Sequence, residues 1–171
     1  VTSVSEQWAG AAIAGPKSRD VLNECVFDPT EITNDNLPFM GVLQTKLKDG
    51  TPCRVVRISF SGELAYEMYI ESDYAHGMMD MLWESAQKYD GCLYGLEALG
   101  ALRVEKGHVT GAELDGRVTI DDAGLGKMAS KKKSYIGSAM RKRGVLSADD
   151  REVLVGFFPI DENETFNAGT I

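Results

Sequence analysis

Three strand-like runs follow one another in the first half of the chain and are separated only by short turns: FMGVLQTKL, CRVVRISF and LAYEMYI. Asp49-Gly50, a dipeptide typical of tight hairpins, lies between the first two runs. A Ser-Gly-Glu turn precedes the third. Hairpins join strands in antiparallel order, so the stretch predicts an antiparallel sheet that contains the hairpin Arg54–Phe60 and Leu64–Ile70.

A strand and a helix are predicted before these runs. The opening stretch VTSVSEQWAGAAIAG is rich in β-branched residues and alternates in part, which favours one or two strands. Gly15 and Pro16 then stop the strand, and Pro16 suits the first position of a helix. Four apolar residues fall on one face of that helix: Val21, Leu22, Cys25 and Val26.

Two further helices are predicted after the third strand. In DYAHGMMDMLWESAQKY, large apolar residues recur at helical spacing; Ser72 is the expected N-cap and Gly91 the expected end. The segment GLEALGALRVEKG predicts a second helix that stops at Gly107.

The remaining pattern is irregular and completes the fold class. SYIGSAMRKRG favours a short basic helix, and REVLVGFFPI predicts a strand. The predicted order along the chain is strands, helix, strands, two helices, loop and strand. This order predicts an α+β fold, in which helices cover one face of an antiparallel sheet.

Composition excludes several classes of function. The formal net charge of −8 argues against nucleic acid and acidic membrane surfaces as partners. No apolar run approaches the roughly 18 residues of a membrane span, and the start has no signal-peptide pattern. Three cysteines without close spacing argue against disulfides and zinc, which favours a reducing cytoplasm. His76 and His108 have no metal-ligand spacing.

The third strand carries a carboxylate, Glu67, between aromatic and aliphatic neighbours. A carboxylate in such a position is expected to be partly buried, which costs free energy unless donors surround it. Two interpretations remain open. An internal arginine could pair with it, and three are available: Arg54, Arg57 and Arg103. Alternatively, a ligand with paired N–H donors could bind it, since a carboxylate accepts two parallel hydrogen bonds.

Three segments in the same order carry a family resemblance: ISFSGELAYEMYI, YGLEALGALRVEKGHVTGAELDG and GLGKMASKKKSYIG. Together they resemble the folate-binding, aminomethyltransferase-like region of heterotetrameric sarcosine oxidase α subunits. That region is similar to the aminomethyltransferase of the glycine cleavage system and to the tail of dimethylglycine dehydrogenase. The resemblance runs from about Ser3 to the end of the chain. It implies a partial folate-binding domain over residues 1–160 and the start of a truncated C-terminal barrel subdomain over 161–171.

The resemblance also implies folate-binding residues. The family hairpin follows the pattern aromatic-Thr/Ser-Gly-Glu-x-x-aromatic-Glu, and its last glutamate binds the pterin edge of tetrahydrofolate. By position, this glutamate is Glu67, preceded by Tyr66, while Phe60 lines the pterin pocket and Arg103 matches a later family arginine. Leu99 stands where glycine-cleavage enzymes carry a further folate-binding arginine, which favours the sarcosine oxidase branch.

The resemblance finally implies a function. The complete enzyme would oxidise sarcosine with oxygen at a flavin, using FMN, FAD and NAD bound outside this segment. The folate site would accept the one-carbon unit as 5,10-methylenetetrahydrofolate. Other sarcosine oxidase subunits would be partners, and the family's catalytic aspartate would precede this segment, which alone is expected to be inactive. Two alternatives are a glycine-cleavage-type aminomethyltransferase or demethylase, and a non-catalytic scaffold between subunits.

Overall fold

The computed structural model describes residues 1–161, 163 and 164 of the 171-residue chain. The chain divides into two compact units, of which the first spans Val1–His108 and the second begins at Val109. The predicted start of a C-terminal subdomain at residues 161–171 lies mostly outside the described residues, which include only 161, 163 and 164 of that stretch.

The first unit is built on a four-stranded antiparallel sheet with the spatial order β1-β4-β3-β2. The strands are β1 (Trp8–Ala14), β2 (Val42–Lys46), β3 (Pro52–Val56) and β4 (Ala65–Glu71). Strand β4 lies in the interior of the sheet between β1 and β3. Any side chain on β4 therefore has neighbours on both sides.

Two helices, α1 (Ser18–Cys25) and α2 (Ala75–Gln87), pack on one face of this sheet. Alternate residues of β4 point towards them, and the side chains of Tyr66, Met68 and Ile70 are fully buried in the core. The four apolar residues predicted to share one face of α1 are all buried. The predicted α+β class, with an antiparallel sheet and helices on one face, is confirmed.

The hairpin that joins β3 to β4 differs from its prediction. The two strands pair with Val56 opposite Glu67, but β3 ends at Val56 rather than continuing to Phe60. Beyond that point the backbone of Arg57 pairs with the 40–41 segment: its N–H donates to Gly41 and its carbonyl accepts from Met40. The connection between the strands is therefore a loop of eight residues, 57–64, rather than a tight turn.

The helix starts also differ from their predictions. Helix α1 begins at Ser18, so Pro16 precedes the helix and does not occupy its first position. Ser72 does not cap α2 with its side chain; its hydroxyl donates to the carbonyl oxygen of Glu6 at 2.6 Å, and the residue begins a 3-10 turn, Ser72–Tyr74, that precedes the helix.

Helix α3 (Leu96–Lys106) is the second predicted helix of the later segment. It ends at Gly107, whose φ of 73° is the left-handed conformation that glycine adopts readily, as predicted. None of its residues is buried, and Leu96 is 85% exposed. The helix therefore belongs to the first unit without joining the core between the sheet and α1 and α2.

The described part of the second unit is held mainly by polar contacts. Arg151 donates to Asp122 from Nε at 2.9 Å and also from its terminal nitrogen, and the Thr119 N–H donates to Asp122 at 2.7 Å. Arg141 forms a bidentate pair with Asp121, with both distances at 2.6 Å. These ion pairs tie together segments that have little regular secondary structure of their own.

Two predictions for the second unit are wrong. The REVLVGFFPI run forms no strand among the described residues, and its large apolar side chains are exposed. The predicted basic helix is replaced by two short 3-10 turns, Met140–Lys142 and Gly144–Leu146. Among the described residues, no helix is long and apolar enough to cross a membrane.

Candidate functional site

The face of the sheet turned away from α1 and α2 carries Glu67 opposite a strip of small residues. Strand register places Ala12 of β1 directly across from Glu67. The neighbouring positions on the same face of β1 are Gly10 and Ala14. Because these side chains are so short, the surface beside the carboxylate stays low and open.

Two hollows on this face meet at Glu67. The first, here called the phenylalanine hollow, has a volume of about 240 Å³. Its lining includes Ala12, Ala14, Phe60, Glu67, Tyr94 and Leu99. The second, the glycine hollow, has a volume of about 220 Å³ and is lined by Gly10, Ala11, Ala12, Glu67 and Tyr69. Ala12 and Glu67 belong to both, so the carboxylate stands at their common border.

Glu67 is half-buried, and Tyr69 donates a hydrogen bond from its hydroxyl to the Glu67 carboxylate. This hydrogen bond raises the pKa of Tyr69, so the phenol remains a donor. Two arginines considered as internal partners are engaged elsewhere. The guanidinium of Arg54 lies 4.4 Å from the centre of the Trp8 ring. Arg57 donates to the side chain of Asn34 at 2.9 Å.

Phe60 lies on the loop between β3 and β4 and borders the phenylalanine hollow. Its side chain is 38% exposed, and its ring is tilted by 54° against His108 at a centroid distance of 4.7 Å. The loop bends sharply at Gly62, where φ is +93° and the N–H donates to the Ser59 hydroxyl at 2.9 Å. The bend keeps an aromatic face beside the carboxylate.

Tyr66 is placed differently from the other predicted site residues. Its side chain belongs to the core on the helix-covered face, although the residue also borders the phenylalanine hollow. Among the described residues, its hydroxyl has no hydrogen-bond partner. Burial raises the pKa of the Tyr66 hydroxyl. The guanidinium of Arg19 lies 5.8 Å from the centre of the Tyr66 ring.

The two predicted positions on α3 lie one helical turn apart. Leu99 lines the phenylalanine hollow, so the wall is apolar where some relatives were expected to carry an arginine. Arg103 lies in the last turn of the helix and donates to the carbonyl oxygen of His108 at 3.4 Å. It is not among the described residues that line either hollow.

A larger hollow of about 410 Å³ runs along β1 between the start of α1 and α2. Its lining is mainly alanines, aliphatic side chains and aromatic rings, and it does not include Glu67. In the described part of the chain, no group of three or more His, Cys, Asp and Glu residues is placed to hold a metal ion.

Sequence reasoning did not identify Gly10, Ala12 and Tyr69 as part of this site. The alternation of small residues in WAGAAIA was the available signal, but it shows no function until the strand is paired with β4. Strand alternation puts Tyr69 on the same face as Glu67, but the hydrogen bond between them depends on side-chain conformations that the pattern does not show.

The fold agrees with a comparison against known protein families. The model of the GCVT N-terminal domain matches residues 1–133, which is more than half of the chain. The chain therefore belongs to the GCVT aminomethyltransferase N-terminal domain family.

The similar proteins include sarcosine oxidase subunits and aminomethyltransferases. Sarcosine oxidase subunit alpha of Rhizobium meliloti (strain 1021) is 40% identical over 173 aligned positions, covering 99% of this chain and 17% of that protein. The corresponding subunit of Corynebacterium sp. (strain P-1) is 38% identical, covering 94% and 16%. The aminomethyltransferase of Halothermothrix orenii (strain H 168 / OCM 544 / DSM 9562) is 31% identical, covering 92% and 43%. The chain thus spans about a sixth of the length of the two sarcosine oxidase subunits.

Proposed function

We propose that this chain is the tetrahydrofolate-binding part of a sarcosine-oxidase-type enzyme. In this proposal, the complete enzyme oxidises sarcosine, and the folate site accepts the released one-carbon unit to give 5,10-methylenetetrahydrofolate. The observation that carries the proposal is the position of Glu67, at the border of two hollows on a floor of small residues.

The residues on this face fit the pterin end of a folate. A pterin is flat and presents an amide N–H beside an amino group, which matches two parallel hydrogen bonds to one carboxylate. Glu67 would receive these donors. The strip formed by Gly10, Ala12 and Ala14 leaves room for a flat ring, and the exposed side of Phe60 offers an aromatic surface for stacking.

The rest of the folate would extend past the apolar wall that includes Leu99. We assign Arg103, one helical turn further on, to the part of the ligand beyond the pterin. Tyr66 would support the site from within the core, as the residue that immediately precedes Glu67 on β4.

Tetrahydrofolate supplies the nucleophilic nitrogen that takes up the one-carbon unit. The contribution proposed for this chain is positional: Glu67 orients the pterin, while Phe60 and Leu99 shield it from water. FMN, FAD and NAD are proposed to bind elsewhere in the complete enzyme, with other sarcosine oxidase subunits as partners and the cytoplasm as location. Residues 161–171 are proposed to begin a C-terminal barrel subdomain.

The test is the affinity of the full-length protein for tetrahydrofolate, measured by anaerobic titration calorimetry on wild type and Glu67→Gln. The substitution keeps the shape, removes the charge and replaces one acceptor with a donor. Hydrogen bonds to charged groups are worth about 1.5–3 kcal/mol, so the affinity should fall about 10- to 150-fold. Glu71→Gln is the matched control, because Glu71 lies at the exposed end of the same strand.

The outcomes separate the alternative functions. Wild-type protein that binds no folate would point to a scaffold role. Folate binding that is unaffected by Glu67→Gln would refute the proposed site. If the wild-type enzyme binds folate and converts aminomethylated lipoyl protein rather than sarcosine, it is a glycine-cleavage-type aminomethyltransferase.

A further inference from the structure

Glu67 and Tyr69 lie two residues apart on β4 and therefore point to the same face of the sheet. The Tyr69 hydroxyl donates to Oε2 of Glu67. A carboxylate oxygen has two lone pairs, so Oε2 keeps one further acceptor site and Oε1 keeps its own. The hydrogen bond therefore restricts the carboxylate without using up its capacity to bind a ligand.

Gly10 makes room for the Tyr69 ring. The two residues are direct partners in the register of β1 and β4. A Cβ atom added to Gly10 would lie 2.9 Å and 3.0 Å from two carbon atoms of that ring, which is closer than van der Waals contact permits. Any larger residue at this position would push the ring away, and the hydroxyl would move with it.

On its other side, Tyr69 faces strand β3. Its partner in the register of β3 is Arg54, whose guanidinium is held over the Trp8 ring. Tyr69 therefore lies between Gly10 on β1 and Arg54 on β3. The hydrogen bond from its hydroxyl points along β4 towards Glu67.

We propose that Tyr69, whose ring packs against Gly10, is a positioning residue. Its hydrogen bond holds the Glu67 carboxylate in the orientation that a flat ligand with adjacent N–H donors requires. The inference rests on the proposed function, since the ligand in question is the pterin of tetrahydrofolate. Tyr69 acts through Glu67, and the glycine hollow is the space that this arrangement requires.

The inference is tested with Tyr69→Phe and Gly10→Ala in the full-length protein, each alone and each combined with Glu67→Gln. Tetrahydrofolate affinity is measured by titration, and thermal melting checks that each variant is folded. Tyr69→Phe removes a hydrogen bond that orients the carboxylate but none to the ligand, so binding should weaken by only part of the value of a hydrogen bond to a charged group, about 5- to 20-fold. Gly10→Ala should weaken it by a similar factor, because the displaced ring loses the same contact.

The positioning role predicts a specific pattern of coupling. In the Glu67→Gln background, Tyr69→Phe should change the affinity less than about twofold, because the group through which it acts is already altered. The double variant Gly10→Ala/Tyr69→Phe should bind no more weakly than the weaker single variant. Matched controls are Tyr74→Phe, at a half-exposed tyrosine, and Gly77→Ala, where an added Cβ meets nothing within 4 Å.

Each alternative outcome has a distinct meaning. If Tyr69→Phe leaves affinity unchanged while Glu67→Gln weakens it, the positioning role is wrong and the proposed function stands. If Tyr69→Phe weakens binding equally in both backgrounds, Tyr69 contacts the ligand directly and the positioning role is again wrong. If Glu67→Gln itself has no effect, the proposed site fails and the inference fails with it.

Discussion

Replacing Tyr66 with phenylalanine tests whether a hydroxyl in the core lowers stability. The Tyr66 side chain is 0% exposed, and its hydroxyl has no hydrogen-bond partner among the described residues. A buried polar group left unpaired costs about 1–3 kcal/mol. Removing one oxygen also loses its van der Waals contacts, each worth about 0.1–0.2 kcal/mol. We expect the free energy of unfolding to rise by about 1 kcal/mol in Tyr66→Phe.

The assay is urea and thermal unfolding of wild type and variant under identical conditions. A gain of this size should raise the melting temperature by about 4 °C in a unit of roughly 100 residues. Tyr89→Phe is the matched control, because the Tyr89 hydroxyl donates to Glu24 at 2.8 Å. Removing this bonded hydroxyl should not raise stability.

A fall in stability after Tyr66→Phe would refute this reasoning, since it would show that the hydroxyl is bonded in the native protein. Folate affinity provides a second readout in the same samples. With the hydroxyl in the core, the affinity should change less than about twofold. A larger loss would mean that the Tyr66 hydroxyl contacts the ligand.

Acid should destabilise the second unit, because the Arg151 guanidinium holds the pKa of Asp122 well below its usual range. A lowered native pKa gives stabilisation that is complete above the ordinary aspartate pKa of about 4 and is lost as the pH falls through the native value. Melting temperatures from pH 7 to pH 2 should therefore drop less steeply in Asp122→Asn than in wild type; equal slopes would contradict the assignment. The cysteines should also differ in reactivity, since burial raises the pKa of Cys25 and of Cys53 to about 11 while Cys92 is exposed. Iodoacetamide at pH 8, followed by peptide mass mapping, should label Cys92 first, and equally fast labelling of Cys25 would overturn this expectation.

The sheet and its core could be predicted because their signals are local. Alternating apolar residues in LAYEMYI and the Asp49-Gly50 turn define two antiparallel pairings without knowledge of the rest of the chain. The end of β3 could not be predicted in this way. It depends on the hydrogen bonds of Arg57 with residues 40–41, which are distant in sequence.

The wrong strand prediction for REVLVGFFPI has a related cause. Its composition favours a strand, but strand structure needs a partner with free N–H and C=O groups. The described residues show only an isolated backbone hydrogen bond there, from the N–H of Leu154 to the carbonyl of Asp122. Strand propensity therefore predicted a strand that the segment, without a pairing partner among the described residues, does not form.

The candidate site was predictable only in part, for the same reason. The SGELAYE segment identified Glu67 and Phe60 through the family pattern, and both border the phenylalanine hollow. Gly10 and Ala12 contribute only because β1 pairs with β4 in one particular register, across more than 50 residues of chain. A shift of one residue would turn these small side chains towards the helices instead.

The composition of the open face is itself an argument for a ligand. A strand face exposed only to water could carry threonine, tyrosine or other residues that favour strands, whereas glycine and, to a lesser degree, alanine are disfavoured there. Strand β1 nevertheless presents Gly10, Ala12 and Ala14 on this face, opposite a strand that bears a half-buried carboxylate. Packing against the Tyr69 ring accounts for Gly10, but neither strand propensity nor burial of apolar surface explains Ala12 and Ala14. The flat ligand proposed above would explain them, because its ring would need short side chains beneath it and a carboxylate at its edge.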